Sequence, residues 1–147
     1  SVKIEKADDT LTTGSVTEEK ISLAGEATEE ANNPRKEIYL DPVYFDFDSY
    51  ILRADARDTL TRNFRWLSEN KLTRVIIEGH ADERGSDEYN LALAEKRAIA
   101  AKRYIETLGV NPDRLQTISY GENKPTMTGH DETSWAKNRR VEFVIAE

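Results

Sequence analysis

The sequence predicts an α/β (α+β) fold, a two-layer sandwich in the order β-α-β-α-β-β with two long helices packed on a mixed four-stranded sheet. Three observations predict it. Two apolar stripes recur at steps of three and four, as one face of a helix does: Leu52-Ala56-Leu60-Phe64-Leu67 and Leu91-Ala94-Ala98-Ala101-Ile105-Leu108. Short runs of β-branched and aromatic residues flank these stripes. Gly, Asn and Pro stand at the joints between them.

Asp41-Pro42 opens the first strand, Val43-Tyr44-Phe45-Asp46-Phe47-Asp48. The first helical stripe follows and ends at Asn70-Lys71. Val75-Ile76-Ile77 is a short apolar run of buried-strand type, closed by Gly79. The polar loop Asp82–Ser86 leads through Asp87–Asn90 into the second helix, which Gly109 stops from a C-cap position. Asn111-Pro112-Asp113-Arg114 is a single turn, with Asn capping and Pro first inside. Leu115–Tyr120 reads as a strand, 121–132 as a loop with Pro125 and Gly129, and Trp135–Asn138 as one helical turn. Val141, Phe143 and Ile145 alternate with Glu142 and Val144 in the last strand.

Residues 1–37 have another texture. They carry nine acidic and five basic residues, no aromatic residue and only scattered aliphatics. Such a stretch cannot bury enough apolar surface to offset the entropy of ordering, so it is expected to be a flexible acidic tether, with at most a turn of helix around Thr28–Asn32 before Pro34. The folded domain is expected over 38–147. No apolar run approaches the roughly 20 residues of a membrane span, and no signal peptide is seen, which is expected either of a protein that never carried one or of a mature or trimmed form. A net charge of −7 argues against general attraction to nucleic acid. Without cysteine the chain has no disulfide, thiolate nucleophile or Cys-based zinc site.

The candidate site lies between Glu78 and Ala98. Glu78-Gly79-His80-Ala81-Asp82-Glu83-Arg84-Gly85 sits where a strand exits into a loop, a common place for binding residues. On the helix beyond, Asn90, Leu93 and Arg97 are spaced by three and four and share a face. Beside the stripe Leu91-Ala94-Ala98, Arg97 should emerge at the edge of the core, partly desolvated. A held guanidinium takes a carboxylate through two parallel hydrogen bonds, and the nearby carboxylate of Asp82 accepts from an ammonium. Together they suit a free amino-acid end. The same spacing equally serves a structural ion pair between Asp82 and Arg97.

Gly79–Ser86, with Glu88-Tyr89-Asn90 and Arg97-Ala98, resembles the signature of the OmpA-like peptidoglycan-binding domain family. Val43–Asp48, Ser119-Tyr120-Gly121, Gly129–Glu132 and Ala136–Val141 extend the resemblance over residues 43–145, and resemble most the lipoprotein branch of that family. The resemblance implies that Asp82 binds the ammonium, and Arg97 the carboxylate, at the unlinked end of meso-diaminopimelate in a peptidoglycan stem peptide. It implies that Phe47, Asp48, Arg84, Asn90 and Leu93 line the same pocket. It implies peptidoglycan as ligand and TolB and other Tol-system proteins as partners. It also implies a periplasmic place on the outer membrane, through an N-terminal lipid whose cysteine this sequence lacks. Lys96 stands where an arginine is more usual. No cofactor and no enzymatic activity are expected.

Competing readings are weaker. His80 and His130 are far apart and lack a matching carboxylate set for a metal, so His80 is expected to be a structural hydrogen-bonder at the strand end. Asp46 and Asp48, alternating on a strand, would share a face as paired carboxylates of a hydrolase do, but aspartates at a strand end more often hold loop backbone. Glu83 and Asp87 read as solvated loop charge. Arg139-Arg140 reads either as a solvated turn or as a brace for the acidic loop. Trp66 is expected to cover a helix edge and Trp135 to pack rather than carry a sugar. A domain of a porin or motor stator with the same fold is the main alternative; the other is a hydrolase acting on peptidoglycan, with Asp82 or Glu83 as acid–base and His80 assisting, against which stand the lack of a Ser or Cys nucleophile context, of a metal set and of a convincing second carboxylate.

Overall fold

The computed structural model describes residues 40–146. The expected tether and its boundary at residue 37 lie outside the described residues. Within them the order is β1 (Val43–Tyr44), α1 (Ala54–Glu69), β2 (Arg74–Gly79), α2 (Asp87–Leu108), a 3₁₀ turn (Pro112–Arg114), β3 (Leu115–Ser119), α3 (Glu132–Asn138) and β4 (Arg140–Ala146). The four strands form one sheet in the order β1-β4-β2-β3. β2 and β3 run parallel, and β4 is antiparallel to both β1 and β2. The expected fold class is found, with three helices rather than two because the turn around Trp135 grows to seven residues. Asp131 caps α3 by accepting from the Ser134 amide.

The core lies between one face of the sheet and the two long helices. Leu60, Leu67, Ile77 and Ile105 are fully buried; each contributes about 1.5–3 kcal/mol relative to an exposed side chain. In β2 burial alternates, with Val75 and Ile77 fully inward and Ile76 half-buried on the other face. Asn63 is an unforeseen core residue on α1. Its side-chain amide accepts from the Asp41 N–H at 3.0 Å and donates to the Asp41 carbonyl at 2.9 Å, fastening the approach to β1. Arg114 donates to the carbonyls of Leu67, Asn70 and Thr73 and so closes the C-terminal end of α1.

Two further expectations are corrected. The first strand is two residues long, not six: Phe45 still donates to the Arg139 carbonyl, but the chain then reverses at 46–49, where Ser49 donates to the Asp46 carbonyl and Asp48 takes a φ of 55°. Asp46 and Asp48 therefore do not share a strand face. Leu91 is exposed rather than buried, because the buried face of α2 runs through Asn90, Leu93, Ala94, Arg97 and Ala98 and so turns toward Asn90 and away from Leu91 at the start of the helix. Among the described residues no helix is long and apolar enough to cross a membrane.

Candidate functional site

The topology brings the C-terminal ends of β1, β2 and β3 and the start of β4 to one end of the sheet. Backbone hydrogen bonds extend the frame past the strands: His80 donates to the Arg140 carbonyl at 2.9 Å and Ala81 to the Gly121 carbonyl at 2.8 Å. These bonds fix where the loop of Asp82 leaves the sheet. Ser86 caps α2 by accepting from the Tyr89 amide, which sets the start of the helix that carries Asn90, Leu93 and Arg97.

A pocket of about 250 Å³ opens between these parts, lined by Asp82, Arg84, Asn90, Leu93, Arg97, Phe47 and Asp48 together with Ala81, Gly85 and Tyr89. All seven residues singled out from the sequence are thus brought together. Arg97 is more deeply placed than expected. It is 0% exposed and is the largest fully buried side chain of the domain. Its Nε donates to the Ser49 carbonyl at 2.8 Å, Nη1 to the His80 carbonyl at 3.0 Å and Nη2 to the Asp46 carbonyl at 3.2 Å. All three acceptors are neutral. A guanidinium has five N–H donors, so one on each terminal nitrogen is left over for a further acceptor. Burial pushes the Arg97 guanidinium down to about 10, the direction expected for a charge with too little compensation around it.

Asp82 is 5% exposed and does not pair with Arg97. The structural ion pair left open by the spacing is not formed. Asp82 instead accepts from the Arg84 backbone N–H and Nε through Oδ1 and from Arg84 Nη2 at 2.8 Å through Oδ2, with Arg139 Nη1 3.5 Å away. Burial works to raise the Asp82 carboxyl, but the Arg84 hydrogen bonds and the charges of Arg84 and Arg139 outweigh it and hold the carboxyl below its ordinary value. The Arg84 guanidinium lies between two aromatic rings, 4.0 Å from the Phe47 centroid and 4.1 Å from that of Trp135. Asn90 is buried and donates to Glu122. Across the mouth the Tyr89 hydroxyl donates to Asp48.

The other candidates fall outside the pocket or take new roles. His80 is buried and stacks on Tyr120 at 5.5 Å, yet both ring nitrogens lack a hydrogen-bond partner among the described residues. Its structural part is played by its backbone, not by the ring hydrogen bond expected. His130 is exposed and contacts Glu83 Oε2 at 2.6 Å; Trp135 Nε1 donates to the same oxygen at 2.8 Å, so Glu83 is a tether rather than free loop charge. Among the described residues no group of three or more His, Asp or Glu is placed to hold a metal. Arg139 and Arg140 are buried, which corrects the solvated-turn reading. Arg139 binds the Phe45 carbonyl and Glu132; Arg140 binds Glu142 and the Lys124 carbonyl.

Tyr89 and Trp135 belong around the site and were not among the pocket residues expected, whereas Arg139, 3.5 Å from Asp82, takes the bracing place that was one of its two readings. Tyr89 lay inside the stretch Gly79–Asn90 and was findable there. Trp135 comes from a helix some fifty residues away in sequence, and nothing near it in the chain pointed to its contact with Arg84.

Residues 44–139 match the OmpA family. The chain is 48% identical over 101 residues to the peptidoglycan-associated lipoprotein of Mesorhizobium japonicum, covering 69% of this chain and 60% of that one. It is 50% identical over 100 residues to the protein of the same name from Pseudomonas aeruginosa, covering 68% and 59%. The chain thus matches about 60% of the length of these relatives. The crystal structure of the peptidoglycan-associated lipoprotein from Burkholderia pseudomallei superposes with a TM-score of 0.69 at 43% identity, covering 71% of this chain and 89% of that one. The C-terminal domain of Helicobacter pylori MotB reaches the same TM-score of 0.69 at 24% identity, covering 74% and 87%, a likeness of fold alone.

Proposed function

The chain belongs to the OmpA family, and on that footing we propose that its folded domain is a non-enzymatic module that binds peptidoglycan through the unlinked end of meso-diaminopimelate. One observation carries the reading: a fully buried arginine, bonded only to neutral carbonyls, faces the same pocket as a buried aspartate. Such a pair suits a carboxylate and an ammonium on one carbon. Arg97 takes the carboxylate on its two remaining donors, and Asp82 takes the ammonium. Leu93 and Phe47 offer apolar contact to the ligand's chain. The names of the relatives support the ligand class, each being a peptidoglycan-associated lipoprotein. Anchoring of the outer membrane to the cell wall from the periplasm, through an N-terminal lipid and with TolB and other Tol-system proteins as partners, extends the proposal and rests on resemblance to the lipoprotein branch.

The test is a titration with a diaminopimelate-containing muropeptide, against a lysine-type muropeptide that lacks the extra carboxylate. Asp82→Asn and Arg97→Lys are the informative variants, since Arg97→Ala would also leave three carbonyls without their donor. Each is expected to weaken binding by about 2–5 kcal/mol, with the muropeptide recovered intact and the lysine-type ligand binding more weakly. Unchanged binding in both variants sinks the pocket assignment. Cleavage of glycan or peptide restores the hydrolase reading.

A further inference from the structure

The carboxylate assigned to the ligand's ammonium already holds a cation of its own. Asp82 Oδ1 accepts from the Arg84 backbone N–H at 3.0 Å and from Arg84 Nε at 3.3 Å, and Oδ2 accepts from Arg84 Nη2 at 2.8 Å with Arg139 Nη1 at 3.5 Å. A carboxylate offers about four acceptor positions, and here each faces a donor. The two side-chain contacts from Arg84 are the ones that can leave. Its guanidinium is about one-third exposed and stands 3.9 Å from Glu132 Oε1, an exposed carboxylate on α3. The rings of Phe47 and Trp135 hold the guanidinium in plane from both sides, and Trp135 is itself fixed by its bond to Glu83.

Resting on the reading above, we propose that Arg84 is a specificity-determining residue: it occupies the ammonium position of the empty pocket and must be displaced from Asp82 toward Glu132 when the ligand enters. A ligand bearing only an amine exchanges one cation for another at Asp82 and gains little. A ligand that also bears a carboxylate engages Arg97 at the same time, and that second contact drives the exchange. Arg84 thereby makes the pocket demand both charges, raising the barrier against simple amines rather than adding attraction to the right ligand. Arg139 stays in place, because its Nε is bonded to the Phe45 carbonyl and its terminal nitrogens to Glu132.

The experiment compares the unaltered chain with Arg84→Gln, using diaminopimelate-type and lysine-type muropeptides in calorimetric titrations and a thermal melt to confirm folding. Arg84→Gln is expected to bind the diaminopimelate ligand roughly three- to tenfold more tightly, the size expected for removing a partly exposed competing ion pair. It is expected to bind the lysine-type ligand more tightly by a larger factor, so that discrimination falls. A second readout needs no variant: in the unaltered chain the Arg84 Nε–H resonance should move on titration, as Arg84 leaves Asp82. Binding by the unaltered chain that weakens or stays the same in Arg84→Gln, or an Arg84 Nε–H resonance that does not move, overturns the proposal alone and makes Arg84 a ligand contact or a bystander. No binding by the unaltered chain overturns the functional reading and this proposal with it.

Discussion

At the scale of single residues, the site depends on two charges held in opposite ways. Arg97 keeps its charge in full burial by leaning on three carbonyls from two different chain segments. Asp82 keeps its charge because Arg84 and Arg139 surround it. The second arrangement predicts a pH dependence. With the folded carboxyl below its unfolded value, the stability Asp82 contributes is present above the unfolded value, about 3.9, and is lost as pH falls through the lower folded value. On the proposed reading the ligand's ammonium is taken by the ionised form, so affinity should stay flat from neutral pH down to about 4 and fall below that. Titrations across this range check it, with Asp82→Asn as the flat control. A midpoint above about 5 would mean that Asp82 is not held ionised as described. The identities of both residues were legible in the sequence; the depth of Arg97 was not. Helical spacing placed it beside the core stripe, whereas the turn at 46–49 closes over it from a segment about fifty residues away.

At the scale of elements, the site depends on how close β2 and α2 run. A Cβ added at Gly79 would stand 1.9 Å from the Ala94 carbonyl oxygen and 3.3 Å from the Ala98 Cβ. Gly79 therefore sets the separation of the strand that leads to Asp82 from the helix that carries Arg97. Gly79→Ala is expected to destabilise the domain by about 1–3 kcal/mol, as overpacking does, and to weaken muropeptide binding as the two charged groups are pushed apart. A thermal melt and the titration above measure the two effects; a variant with unaltered melting temperature and affinity would refute the close-contact argument. The two long helices, the strands β2 to β4 and their order along the chain were legible because local periodicity and caps encode them; the sheet order β1-β4-β2-β3 was not. The length of β1 was not: Val43–Asp48 has strand composition throughout, but Arg139 and Asp48 decide where the pairing stops. The burial of Leu91 was misread because the apolar stripe centres the buried face on Leu91, whereas the polar Asn90 beside it is the residue that turns inward.

At the scale of the whole molecule, the pocket exists only in the folded chain. Arg97 reaches back 51 residues to Asp46, and Arg139 reaches back 94 to Phe45; Arg84 is clamped between Phe47 and Trp135. No short segment holds both charged groups in place, so the unfolded chain should have no measurable affinity for the ligand. Binding to the native state alone raises stability by mass action, about 2.7 kcal/mol at a free ligand concentration of 100 Kd. For a domain of this size each kcal/mol raises the melting temperature by about 4–8 °C. The diaminopimelate muropeptide at that excess should therefore raise the transition by on the order of 10 °C or more, with a smaller rise for the lysine-type ligand. Asp82→Asn should melt with little response to either. A titration that shows binding with no thermal shift would place the ligand on a surface that survives unfolding, and so away from a pocket built from the turn after β1, the β2–α2 loop, α2 and α3 together.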